Sequence, residues 1–149
     1  MALISSADQE HLRRAFGEMK RAVRLQFFTQ TLDCETCLQT RQILDELPPL
    51  SDKIAIDEVN FILDVDRARE YGIDRVPAIA LTYDDPDSPG VTKDSRIRFL
   101  GTPAGYEFIS LVQAILLAGG RESLLSSDNR ARVAAVGQPL RIQVFTTPG

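Results

Sequence analysis

The 149-residue chain contains no apolar run approaching eighteen residues, and its first residues, Met-Ala-Leu-Ile-Ser-Ser-Ala-Asp-Gln-Glu, lack the basic and apolar regions of a secretory signal. Neither a membrane span nor a leader is expected, and the default location is cytoplasmic. There is no block of Lys or Arg. Seventeen basic residues against twenty-one acidic ones leave a net charge of −4, which argues against nucleic acid or an anionic membrane as the main partner. Histidine occurs once, as His11, and cysteine twice, so one chain cannot supply four thiolate or imidazole ligands to a closed zinc site. The reading is therefore of no metal and no cofactor. His11 falls on the polar side of its helix, away from Leu12 and Phe16, as a solvated surface residue would.

What is present suits one globular domain: 44% hydrophobic and 26% charged residues, in a length that supports one core of ordinary size. The two cysteines lie together in Cys34-Glu35-Thr36-Cys37. In a reducing compartment such a close pair points to catalysis, redox sensing or metal binding rather than to a structural crosslink.

Hydrophobic spacing orders the chain. Ser6 and Gln9 form a capping pair, and Leu12, Ala15, Phe16 and Met19 recur at helical spacing, predicting a helix over 7–21. Val23 to Gln30 reads as a buried strand. Cys37, Thr40, Leu44 and Leu47 then share one face of a helix that starts at or beside Cys34 and stops before Pro48-Pro49. A second strand runs from Lys53 to about Leu63, and a short helix through Arg67–Glu70 ends near Gly72. Pro77–Tyr83 and Arg96–Leu100 read as a hairpin around the turn-forming 85–90 loop. Thr102-Pro103 opens a last helix with Phe108, Ile109, Val112, Ile115 and Leu116 on its apolar face and Gly119-Gly120 as its stop. Tyr106 and Phe108 are expected to pack at the entry to that helix. A strand, helix, strand crossover makes the first two strands parallel, which puts the Cys motif at a strand's carboxyl end, where open α/β sheets keep their sites.

The sequence also repeats itself. Arg24-Leu25-Gln26-Phe27-Phe28-Thr29 returns as Arg141-Ile142-Gln143-Val144-Phe145-Thr146, each copy preceded by Ser-Ser and a helical stretch. The organisation expected is an N-terminal helix in 1–22, an α/β unit in 23–120, and in 121–149 a connecting helix with the first strand of a second unit, cut before any second Cys pair. That orphan strand, Arg141 to Thr147, would pair with the chain's own sheet or with a second copy in a homodimer.

Two sulfurs spaced by two residues at the first turn of a helix can form a disulfide. Cys34, nearer the positive helix end and more exposed, is the candidate nucleophile; Cys37, one turn deeper, is the resolving thiol. Asp33 and Glu35 beside Cys34 disfavour its thiolate, so the pair is expected to be reducing rather than strongly oxidising. The strand upstream offers no buried acid to accept the Cys37 proton; the position six before Cys34 is Phe28. Val76-Pro77 opens the third strand either as an ordinary trans proline or as a cis bond leaving the Val76 backbone free to pair with an extended substrate.

Cys34-Glu35-Thr36-Cys37 after a strand, Tyr71-Gly72-Ile73-Asp74-Arg75-Val76-Pro77-Ala78-Ile79, and Gly101-Thr102-Pro103-Ala104-Gly105-Tyr106-Glu107-Phe108 together resemble the thioredoxin/glutaredoxin superfamily. They look most like the N-terminal unit of the glutaredoxin-like protein disulfide oxidoreductases, which carry two such units. The resemblance implies a thioredoxin-like α/β fold: a four-stranded mixed sheet with flanking helices and, here, an extra N-terminal helix. It implies redox roles for Cys34 and Cys37 and a substrate-facing cis-proline at Val76-Pro77. Glu-Thr stands where typical active units carry Pro-Tyr or a similar pair. The function expected is thiol–disulfide exchange with protein disulfide substrates, with a thioredoxin reductase as a candidate donor. The alternatives are a redox-inert interaction unit and an electron donor to a peroxidase.

Overall fold

The computed structural model describes residues 3–147 and forms an α/β sandwich around one four-stranded sheet. The elements are α1 (Ser6–Gly17), β1 (Val23–Thr29), α2 (Cys37–Asp45), a 3₁₀ turn at Pro48–Leu50, β2 (Ile54–Asn60), α3 (Val65–Glu70), β3 (Ala78–Asp84), β4 (Thr92–Leu100), α4 (Tyr106–Ala118) and α5 (Ser127–Ala134). The sheet order is β2-β1-β3-β4. β1 runs parallel to β2, from Val23↔Ile54 to Thr29↔Asn60, and antiparallel to β3, where Phe28 faces Ala78. β3 and β4 are antiparallel, with an irregular register after Ala80 where Arg96 takes a positive φ of 64°. This is the mixed sheet with flanking helices that the sequence leads one to expect.

β1 is central because its residues are buried on both faces. Val23, Leu25 and Phe27 join Phe16 and Met19 near α1, Leu44 and Leu47 near α2, and Leu111 and Ile115 of α4 in the main core. Phe28 points the other way, into a smaller cluster with Val59, Ala68, Ile73, Ala78 and Ala80. A strand's side chains alternate between faces, so two consecutive phenylalanines require apolar cover on both sides. α1, α2 and α4 cover one face; the six-residue α3 covers part of the other. There Gln26, 3% exposed, is kept satisfied by Asp57 Oδ2 at 3.1 Å and by the Arg67 guanidinium.

Local punctuation departs from expectation at four helix ends. Ser5, not Ser6, caps α1, accepting from the Asp8 N–H, and the helix stops at Gly17 rather than near 21. α2 starts at Cys37, three residues later than expected, because Asp33 turns left-handed (φ 56°) and residues 35–36 form a turn before the helix begins. α4 starts at Tyr106 behind Gly105 (φ 58°), since the Thr102 hydroxyl is engaged elsewhere and Pro103 is buried in the loop. Tyr106 is accordingly 85% exposed, and only Phe108 of the expected pair packs on the core.

Beyond α4 the exposed α5 follows over Ser127–Ala134, but no strand forms over 141–147. The segment joins neither edge of the sheet and its side chains are exposed, with one hydroxyl, Thr146, donating to Glu107. A strand needs a ladder partner, and β2 and β4 end the sheet without taking one. Pro148 and Gly149, which follow the internal repeat, lie outside the described residues.

Within β4, Arg98 grips Asp94 with two hydrogen bonds, Nη1 to Oδ1 at 2.8 Å and Nη2 to Oδ2 at 2.6 Å. The Asp94 carboxyl also accepts the Arg96 N–H at 2.8 Å. The Arg98 bonds, ahead of the other causes, hold the carboxyl below its ordinary value of 3.8. A carboxylate whose pKa is lowered by folding stabilises the fold above the unfolded value and loses that contribution as pH falls from there through the lower folded value. The midpoint of urea unfolding should therefore drop between pH 6 and pH 3, and Asp94→Asn should flatten that dependence.

Candidate active site

The Cys pair sits where β1 leaves the sheet. Its last residues, Phe28 and Thr29, are fixed by ladder partners, and the Phe61 N–H donates to the Thr29 carbonyl at 2.9 Å. From there the chain turns through 30–33. The Gln30 side-chain amide folds back to donate to the Leu32 carbonyl at 2.7 Å and the Asp33 carbonyl at 3.3 Å. The left-handed Asp33 then delivers Cys34 to the rim. Aspartate tolerates this conformation better than most residues, which explains its use at the kink.

Cys34 and Cys37 are joined in a disulfide, with sulfurs 1.96 Å and Cα atoms 5.5 Å apart. Their surroundings differ. Cys37 is 4% exposed at the start of α2; Cys34 is half-buried in the turn ahead of it. The more exposed cysteine is therefore the first of the pair, in the order expected, although it precedes the helix instead of opening it. Asp33, Glu35, Leu32 and Leu38 around it are all exposed.

The start of β3 lies at the same end of the sheet. Ala78 pairs with Phe28, so Val76-Pro77 is held against the exit of β1, and the peptide bond between them is cis. Pro77 is buried, and its carbonyl accepts the Gly101 N–H at 2.8 Å, which tethers the β4–α4 loop. The topology thus gathers the Cys turn, Val76-Pro77 and the 101–105 loop at one edge. His11 is exposed on α1, and no cluster of three or more potential metal ligands occurs among the described residues.

Sequence inspection missed two features of the site. The first is the hydrogen bonding of Thr40, which helical spacing places on the packed face of α2 and which is fully buried there. Its hydroxyl donates to the Thr36 carbonyl at 2.8 Å and lies 2.8 Å from the Thr102 hydroxyl. With its one hydrogen spent on Thr36, Thr40 accepts from Thr102, so a single side chain ties the turn between the cysteines to the β4–α4 loop. Both threonines look like ordinary helix and cap residues in sequence, and nothing in their spacing reveals the contact. The second is a mainly apolar groove of about 570 Å³ beside the end of β1, lined by Phe61, Ile62, Val65, Ala68, Gly72 and Ile73, with Arg69 and Asp74 also on its wall. Its lining comes from two loops and α3, too scattered in sequence to read as one surface.

This fold and site define a thioredoxin-like unit: a parallel β-α-β pair followed by an antiparallel hairpin and helix, with a Cys-x-x-Cys turn and a cis-proline at one edge. No family model matches the chain. A probable thioredoxin from Methanothermobacter thermautotrophicus is 30% identical over 91 residues, 60% of this chain and 92% of the relative. A Xanthomonas campestris pv. phaseoli protein, the F component of alkyl hydroperoxide reductase, is 40% identical over 86 residues, 58% of this chain but 13% of that protein. Among solved structures, the NTD_N/C domain of the alkylhydroperoxide reductase AhpF from Enterococcus faecalis superposes with a TM-score of 0.77 at 23% identity, over 89% of this chain and 60% of that one. A protein disulfide oxidoreductase from Aeropyrum pernix gives 0.72 at 23% identity, over 89% and 55%. The chain belongs to the thioredoxin-like superfamily. Within that fold the disulfide-bonded Cys34–Cys37 pair is the reactive feature.

Thr40→Val keeps the side-chain volume but leaves the Thr102 hydroxyl without its acceptor. It should cost about 1–2 kcal/mol of unfolding free energy, measured by chemical denaturation.

Proposed function

We propose that this chain exchanges its Cys34–Cys37 dithiol or disulfide with disulfides of protein substrates, working in the cytoplasm with a dithiol donor of the thioredoxin reductase type. The observation that carries the reading is the unequal exposure of two disulfide-bonded cysteines at the sheet's rim. In the reduced protein the Cys34 thiolate attacks a substrate disulfide. A mixed disulfide forms and the first substrate thiolate leaves. The Cys37 thiolate then attacks the Cys34 sulfur, closing the intramolecular disulfide and releasing the second substrate thiolate. Two electrons pass to the substrate, and the two protons given up by the cysteines reappear on its thiols. The donor dithiol reverses these steps on the protein to restore the reduced pair.

Three features support a polypeptide client. Leu32 and Leu38 flank the pair as exposed apolar side chains, the groove beside the end of β1 is mainly apolar, and the Val76 backbone stands at the start of β3 next to the Cys turn. Val76 and Pro77 are the residues we assign to substrate binding. Asp33 and Glu35 favour the disulfide over the Cys34 thiolate, so the direction assigned is reduction of the client. No helix among the described residues is long and apolar enough to cross a membrane. A second reading, transfer of electrons to a peroxidase, is favoured by the 40% identity to a component of an alkyl hydroperoxide reductase. It uses the same thiols with a different client. A redox-inert interaction unit would have no use for an accessible Cys34.

Dithiothreitol-driven reduction of insulin should be accelerated by the native chain and fall to the uncatalysed rate in Cys34→Ser. Cys37→Ser should accumulate mixed disulfides through Cys34, and mass spectrometry of the trapped partners separates general protein clients from a peroxidase. A native chain with no effect on insulin and no trapped partner would leave the interaction-unit reading.

A further inference from the structure

The chain segment that carries Cys34 bears charge of one sign. From Gln30 to Thr40 the chain reads Gln-Thr-Leu-Asp-Cys-Glu-Thr-Cys-Leu-Gln-Thr, with two carboxylates and no Lys, Arg or His. Both carboxylates adjoin the more accessible cysteine, both are exposed, and neither forms an ion pair among the described residues. Two cations on neighbouring elements are paired, Arg41 on α2 with Asp45 and Glu58, and Arg75, ahead of Val76-Pro77, with Asp74; the exposed Arg141 also acts on the Asp74 carboxyl rather than standing beside Cys34 in the chain. A third carboxylate, Glu107, stands in the first turn of α4 after the 101–105 loop, where it accepts from Thr146. A client must bring its own sulfur within bonding distance of Cys34, and hence within a few ångströms of Asp33 and Glu35. Charges that close are incompletely screened at physiological ionic strength, where the screening length is about 8 Å.

We infer that Asp33 and Glu35 are specificity determinants that select disulfides flanked by cationic groups, Lys- or Arg-bearing polypeptides, and exclude anionic low-molecular-weight disulfides. The inference rests on the exchange reading above and adds the charge class of its substrate. Selection of this kind acts mainly on the encounter, so it belongs in kcat/KM and weakens with salt.

The test uses three small disulfides of similar size: cystamine (dicationic), 3,3′-dithiodipropionate (dianionic) and 2-hydroxyethyl disulfide (neutral). Single-turnover rates are measured with the dithiothreitol-reduced native chain and with Asp33→Asn/Glu35→Gln. Asparagine is chosen because it too accepts the left-handed backbone at 33. Dividing the native cation-to-anion rate ratio by that of the variant removes the intrinsic reactivity of each disulfide. The quotient should be about ten at roughly 20 mM salt and fall toward about two at roughly 1 M. Exchange with all three disulfides at a quotient of one, or a quotient indifferent to salt, overturns the charge selection and leaves the exchange reading standing. Failure to react with even the neutral disulfide removes the exchange reading and this inference with it.

Discussion

The site depends on how firmly the end of β1 is held. Phe27 and Phe28 fill opposite faces of the sheet, and Thr29 is bonded on toward Phe61, so the strand stops at a fixed place and height. Everything chemical follows within eight residues. Gln30 folds the exit loop, Asp33 reverses it, Cys34 emerges and Cys37 sinks beneath as α2 begins. Were the strand free to slip by one residue, its side chains would exchange faces and the two sulfurs would exchange surroundings. Packing of two aromatic rings thus sets the exposure of a thiol that neither of them modifies chemically.

Around this point the molecule spends its polar groups on alignment. Thr40 joins the Cys turn to Thr102, the Pro77 carbonyl joins β3 to Gly101, and Gln26 bridges β1 to Asp57 and Arg67 on the opposite face. Each bond contributes on the order of 1 kcal/mol, and buried groups of this kind cost more to leave unpaired than they return when paired. Their value lies in fixing three separate loops against one another. The reacting pair, by contrast, has no cation in its own chain segment from Gln30 to Thr40, only the carboxylates of Asp33 and Glu35 beside Cys34.

Much of this was legible in the sequence. The buried strand at 23–30, the apolar face Cys37, Thr40, Leu44 and Leu47, and the parallel crossover were enough to place Cys34 and Cys37 at a strand's carboxyl end, because hydrophobic periodicity reports burial directly. Helix ends were less legible. Their positions turn on single backbone angles, such as those of Asp33 and Gly105, and on which hydroxyl a threonine chooses. Thr102 reads as a cap and acts as a long-range donor instead. The 141–147 segment has a strand's composition without a strand's partner, and composition cannot supply a ladder. The Thr40–Thr102 contact and the groove under Phe61 join residues far apart in sequence, which no local pattern encodes.

The account stands on the difference between two thiols. Reduced protein, desalted under nitrogen and treated with a small excess of iodoacetamide, should be alkylated first at Cys34, with Cys37 labelled at least about tenfold more slowly until the chain is unfolded, as read by peptide mass spectrometry. Equal rates at the two cysteines, or faster modification of Cys37, would contradict it.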